Sequence, residues 1–286
     1  MQDWRNERSE IMAIKGTILG DIIGSQYEFK RPDDFDWQTA PLLTDKCMFT
    51  DDTVLTIATK YALNNNIEYG DAYYLFGNKY LRVGYGERFV EWLYSKDKTP
   101  YGSYGNGSAM RVSPIVDYIE LMPKFQFIPQ KKFNKELLLQ AEMSAKCTHN
   151  SDEGIKGAQT VAMLIAMAKS GMSKEDLFKY GVEQYPKDKY GYSPAYTLNE
   201  MSTRYIWNAT CQGSVPAVIR CLYEANSYTE FIRNVFRLEC DTDTLCAIGG
   251  GIAEELYDNT SDEIIKNADE IIAKYLDDYL LSVLCW

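Results

Sequence analysis

Histidine is almost absent: His149 is the only one in 286 residues. The seven cysteines form no Cys-x-x-Cys pair, and Cys240 and Cys246 lie closest together. These absences argue against a Cys/His zinc site and against a disulfide scaffold. The simplest account is a reduced, cytoplasmic protein whose cysteines serve as small core residues. Basic charge is also scarce, with 30 Lys and Arg against 41 Asp and Glu, a net charge of -11. Neutralising a nucleic-acid backbone needs clustered Lys and Arg, so no nucleic-acid partner is expected. A small anionic ligand in a local pocket remains compatible. No apolar run is long enough to span a bilayer, which leaves no membrane partner. The stretch Met1 to Glu10 is polar and mixed in charge; it reads as a flexible N-terminal segment rather than a secretion signal.

Strand-like alternation is scarce as well, and nothing alternates strands with helices as a doubly wound sheet requires. What is present is helical. Apolar positions recur at helical spacing over Ile11 to Glu28, Asp52 to Leu63, Lys135 to Ala145 and Gly154 to Ala168. Ser173-Lys174-Glu175-Asp176 has the form of a capping-box start. Ser214-Val215-Pro216 opens a helix running to about Ala225. Tyr228 to Leu238, Leu245 to Tyr257 and Ser261 to Leu281 follow. The expected class is all-α, with at most a minor hairpin. Lys30 to Lys46, Lys96 to Pro114 and Tyr185 to Tyr196 read as surface loops.

Two acidic clusters carry the most chemistry. Phe49-Thr50-Asp51-Asp52-Thr53 and Cys240-Asp241-Thr242-Asp243-Thr244 each pack carboxylates beside threonine hydroxyls and run into an apolar helix. Taken separately, each reads as a helix cap with acidic residues in the first turn. Brought together, they would repel unless a cation sat among them, and hard oxygen ligands suit magnesium, manganese or calcium. Consecutive helical residues point about 100° apart, so chelation by neighbours needs an irregular first turn. For Asp241 and Asp243 to share an ion, the following helix should begin at or after Asp243.

Three further motifs surround these clusters. Gly16, Gly20 and Gly24 share one face of the first helix, suited to close packing, and Asp21, Gly24 and Glu28 lie on that side. The glycines at 249–251 could meet that face. Tyr104-Gly105-Asn106-Gly107-Ser108-Ala109-Met110-Arg111 reads as a glycine turn, or as an anion nest if Gly105 and Gly107 adopt positive φ. His149, in Cys147-Thr148-His149-Asn150-Ser151, reads as a cap or a core hydrogen-bonder rather than a catalyst.

Taken in this order, the motifs resemble the ADP-ribosylglycohydrolase family, which includes the dinitrogenase reductase-activating glycohydrolases and the crystallin J1 proteins. The matching stretches are Gly20 to Glu28, Phe49 to Thr53, Gly105 to Arg111, Thr148-His149 and Asp241 to Thr244. The resemblance implies one compact, orthogonal multi-helix domain over 1–286 with two divalent cations, Mg2+ or Mn2+. It implies hydrolysis of the N- or O-glycosidic bond at the anomeric carbon of an ADP-ribosyl group. An ADP-ribosylated protein or small molecule would be the substrate and ADP-ribose the product, and an ADP-ribosylated nucleobase fits the same chemistry. By motif, Thr50, Asp51 and Asp52 would bind one ion and Asp241 and Thr244 the other, with Asp243 bridging. Glu28 would lie near the second ion as ligand or catalytic base, with Asp51 and Asp52 as further catalytic candidates. The loop Gly105, Asn106, Gly107, Ser108, Ala109 and Met110 would hold the diphosphate, with Asp21 and His149 near the ligand. Two other classes fit the same residues: a catalytically silent ADP-ribose-binding or immunity protein, and a metal-dependent phosphohydrolase acting on another ester.

Overall fold

The helical periodicity is realised as fifteen α-helices in a computed structural model describing residues 14–95, 97–121, 129–187 and 192–285. They are α1 (Ile14–Ser25), α2 (Asp51–Asn65), α3 (Tyr69–Lys79), α4 (Glu87–Tyr94), α5 (Ser113–Leu121), α6 (Gln130–Lys146), α7 (Asp152–Lys169) and α8 (Lys174–Gln184). Then come α9 (Leu198–Arg204), α10 (Cys211–Tyr223), α11 (Tyr228–Phe236), α12 (Thr242–Leu256), α13 (Glu263–Lys266), α14 (Ala268–Tyr275) and α15 (Asp278–Leu284). The class is all-α. Among the described residues the only β feature is an isolated antiparallel bridge between Gly105 and Thr210. None of these helices is long and apolar enough to cross a membrane. The segment 1–10 and the first residues of the helix expected from Ile11 lie outside the described residues.

Several boundaries differ from expectation. The helix expected to open at Ser214 begins at Cys211, so Pro216 lies inside α10. Thr210 caps it by accepting from Gly213 N, and Cys211 N donates to the Tyr104 carbonyl 2.9 Å away, which starts the helix early. The long helix expected over Ser261 to Leu281 is broken, because Asp262 and Asp277 each cap a new helix. The loop expected to Pro114 ends sooner, at the start of α5. The capping box at Ser173 and Asp176 forms as the sequence suggests.

Two helices have almost no polar face. Every residue from Gly16 to Gly24 of α1 is buried, as is every residue from Thr242 to Ala253 of α12. A helix buried all round belongs at the centre of a bundle, and α2, α7, α10, α11 and α14 pack around this pair. The two run antiparallel along a glycine seam. A Cβ on Gly16 would collide with the Gly250 carbonyl, and one on Gly20 with the Cys246 carbonyl. One on Gly24 would lie 2.5 Å from the Asp243 Cα. Gly16 N donates to Glu254 at 2.6 Å and the Tyr228 hydroxyl to Gly16 O at 2.7 Å, fixing the far end of the seam. The C-terminal end of α1 is thereby set against the N-terminal end of α12, and both acidic ends meet.

Overpacking a rigid contact costs about 1–3 kcal/mol or more, and here the obstruction is backbone. Gly20→Ala should therefore lower the melting temperature by roughly 5 °C or more, from about 2–4 °C per kcal/mol for a chain of this size. Gly86→Ser, where an added Cβ meets nothing within 4 Å, should leave it unchanged or raise it slightly, since serine is a better N-cap than glycine. Calorimetric melting of both variants checks this.

Candidate metal centre

Asp21 ties the first acidic cluster to α1. It is fully buried, and its Oδ2 accepts from Thr50 N at 2.9 Å and Thr53 N at 3.1 Å, while Oδ1 accepts from Thr50 Oγ1 at 2.7 Å. These are the N–H groups that a helix start leaves without partners. Asp21 therefore caps α2 from another helix and holds the Thr50–Asp52 turn. Expected to contact ligand, it is buried and occupied with this support.

Asp52 points from that turn toward α12, and Thr244 Oγ1 donates to its Oδ2 at 3.0 Å. Its Oδ1 is buried with no hydrogen-bond partner. Asp241 is the N-cap residue of α12 with non-helical ψ of 83°, so the helix begins at Thr242, one residue earlier than expected. The angular rule for helical neighbours does not apply to a residue outside the helix, and Asp241 and Asp243 still converge. Oxygens of Asp21, Asp52 and Asp243 lie within 4.8 Å of one another, and so do those of Glu28, Asp241 and Asp243. Asp243 belongs to both groups. Glu28 lies just past the end of α1 and is half-buried. It does not pair with its neighbour Arg31, whose guanidinium donates to the carbonyls of Phe236 and Leu238 and clamps the turn that leads to Asp241.

The remaining expected residues divide. Asp51 is in neither group; it is half-buried, with its Oδ1 facing Gly84, where φ is 101°. Asn106 Nδ2 donates to Asp241 Oδ2 at 2.8 Å and to Ser214 Oγ at 3.0 Å, linking the glycine loop to the acidic half. The Ser108 hydroxyl donates to Gly154 O, and Ala109 and Met110 are core residues. Gly105 and Gly107 do not adopt positive φ, so the nest geometry is not formed. Their bareness serves another purpose: a Cβ on Gly107 would press on His149 Nε2 at 3.3 Å, and one on Gly105 would lie in contact with it at 3.5 Å. His149 is buried, and burial together with the charges of Arg111 and Arg88 holds its pKa well below the usual value.

The acidic half is short of positive charge. No ion pair among the described residues involves Asp21, Glu28, Asp52, Asp241 or Asp243. Burial pushes Asp21 up to about 6, against the pull of its bonds from Thr50 and Thr53. Glu28 rises to about 7 through burial and then the charges of Asp241 and Asp21. Asp51, Asp52 and Asp243 are held well above the ordinary range, by burial first and then by neighbouring carboxylates. Burial also raises Asp241. The N-termini of α2 and α12 both face this cluster, but each dipole offsets only about 0.3–1 kcal/mol, up to ~2. Burying an ionised carboxylate costs several kcal/mol. The dipoles are too weak for the task. The all-oxygen donor set and the orphaned Asp52 Oδ1 fit a hard divalent cation.

The sequence profile of the ADP-ribosylglycohydrolase family matches residues 8–253. A protein of Acanthamoeba polyphaga mimivirus that carries the name ADP-ribosyl glycohydrolase is 24% identical over a 301-residue alignment, covering 87% of this chain and 86% of its own. A solved structure described as an ADP-ribosylglycohydrolase-related protein complex shares the fold, with TM-score 0.66 at 20% identity, covering 100% of this chain and 99% of that one.

A carboxyl raised in the folded state carries no penalty below its unfolded pKa near 4 and the full penalty above its folded pKa. With Asp21 at about 6 and Glu28 at about 7, the metal-free protein should lose stability as pH rises from about 4 to about 6 through both groups, and on to about 7 through Glu28 alone. His149 works in the opposite direction only below about 6.5. Melting in a chelator should thus occur at lower temperature at the higher pH, and magnesium should raise the melting temperature more there. A chelated protein that is most stable at about pH 8 contradicts this picture.

Proposed function

The chain belongs to the ADP-ribosylglycohydrolase family, and on that premise we propose that it releases ADP-ribose from a modified protein side chain or other acceptor, using two divalent cations, Mg2+ or Mn2+. The observation that carries the reading is the pair of carboxylate groups sharing Asp243, beside a glycine loop and a histidine. We assign Thr50, Asp51, Asp52 and Asp243 to one cation and Asp241, Asp243 and Thr244 to the other, with Glu28 beside the second. Asp21 holds the first ligand turn in place. The cations supply charge neutralisation and polarise the ribose hydroxyls.

The chain's own groups do the rest. Glu28 is half-buried at the end of α1, and a carboxyl tuned near neutral pH suits a general base. It takes a proton from the attacking water as the hydroxyl bonds to the anomeric carbon. The bond to the acceptor nitrogen or oxygen breaks, the acceptor takes up one proton from solvent, and Glu28 returns to solvent the one it took. Gly105, Asn106 and Gly107 line the diphosphate half with His149. We read 1–286 as one such domain. All seven cysteines are unpaired thiols, which suits a reducing cytoplasm.

Incubation with ADP-ribosylated arginine and with a simple phosphoester, each with and without magnesium, tests the assignment: only the first should be cleaved, and only with metal. Glu28→Gln should keep ADP-ribose affinity within about tenfold while turnover falls by about 10²–10⁴, the range for a lost acid or base. Wild-type turnover in that variant would remove Glu28 from catalysis. Asp243→Asn weakens both cation sites and Thr244→Ala one hydroxyl of one site, so activity at saturating metal should fall further in Asp243→Asn. Equal activity in Asp243→Asn and the parent would rule out the bridge.

A further inference from the structure

Arg111 is the largest fully buried charged side chain, yet it forms no ion pair among the described residues. Its guanidinium lies over the Tyr73 ring, with Cζ 4.0 Å from the centroid. Nη2 donates to Ser144 O at 2.8 Å and to Thr148 Oγ1 at 2.9 Å. A guanidinium can only donate, so Thr148 Oγ1 is the acceptor in that bond. The threonine proton must then be directed elsewhere. His149 Nδ1 stands 2.8 Å from Thr148 Oγ1. The Cys147 sulfur is also within reach, but sulfur is a weak acceptor. If Nδ1 carried the ring proton, Thr148 Oγ1 would receive two donors and its own proton would be left to the sulfur. A buried donor without a good partner is unfavourable.

The other ring nitrogen faces the opposite way. Nε2 looks onto Gly105 and Gly107, and no hydrogen bond occupies it among the described residues. Tyr101 lies against the imidazole with ring centroids 6.1 Å apart, and Arg88 sits over Tyr101. Burial, then the charges of Arg111 and Arg88, disfavour a charged ring.

We propose that Arg111 and Thr148 are positioning residues that hold His149 in the Nε2–H tautomer, so that it offers a neutral donor past Gly105 and Gly107 to a phosphate oxygen of the ligand. The ligand clause rests on the reading of this half as the ADP-ribose pocket; the tautomer does not. The device explains why two glycines flank Nε2: any side chain there would cover the donor.

The single histidine makes the test direct. In the full chain labelled with 15N-histidine and loaded with magnesium, long-range proton–nitrogen correlation reads which ring nitrogen is bare. Nδ1 should be bare and Nε2 protonated, by at least about tenfold, at about pH 6 and at about pH 8 alike. Thr148→Val should cut that ratio at least about threefold and weaken ADP-ribose binding about tenfold, the scale of one lost hydrogen bond. Thr148→Ser should restore both. A protonated Nδ1 in the wild type, or a ratio untouched by Thr148→Val, would overturn the inference. Should Thr148→Val fail to fold, the wild-type spectrum alone decides. A wild-type protein with the expected tautomer that does not bind ADP-ribose would sink the pocket reading instead.

Discussion

Where α1 crosses α12, glycine Cα atoms rest directly on the carbonyls of the opposing helix, and no side chain separates the two backbones. Everything acidic in the centre hangs from that contact. Asp21 and Glu28 come from one side of the seam, and Asp241 and Asp243 from the other. Asp52 is brought in because Asp21 caps the helix that carries it. A seam of larger residues would part the helices by a side-chain thickness, more than carboxylates sharing one cation allow. The packing is thus tighter than core filling alone requires, and the charged groups set that demand.

The centre has two unlike poles joined by one amide. On one side stand clustered carboxylates with raised pKa values, on the other a buried imidazole whose pKa burial and the charges of Arg111 and Arg88 hold down. Asn106 reaches from the glycine loop to Asp241 and fixes the spacing between them. A ligand that carries both hydroxyls and a diphosphate meets both poles at once. This complementarity is stronger support for the substrate class than either pole alone, because acidic clusters and glycine turns are each common.

Much of this could be read from the chain, and the part that could not shares one cause. The glycine face of α1 follows from helical spacing alone, whereas of the expected α12 partners Gly250 meets Gly16, and Gly249 turns to Phe231 instead. The two acidic clusters announce themselves by composition. Asp21 as a cap for α2, Asn106 as a brace for Asp241 and Arg31 as a clamp on the carbonyls before Asp241 all depend on contacts between residues far apart in sequence. Local pattern holds no trace of them. The same cause moved the start of α10, where Tyr104 supplies an acceptor that Cys211 alone does not reveal. Gly105 and Gly107 signalled special backbone geometry, whereas their role is to leave space beside Nε2. Composition cannot distinguish those two uses of glycine.

The bond from Thr244 to Asp52 joins residues 192 positions apart, and the glycine seam joins regions even more distant. Closing so long a loop is entropically costly and slow relative to forming local helical contacts. A growing chain can lay down α2 through α11 while its acidic turn at Thr50 has no counterpart. Only when α12 docks do the two acidic turns face each other. The acidic centre is therefore assembled only in the step that docks α12 and completes the core.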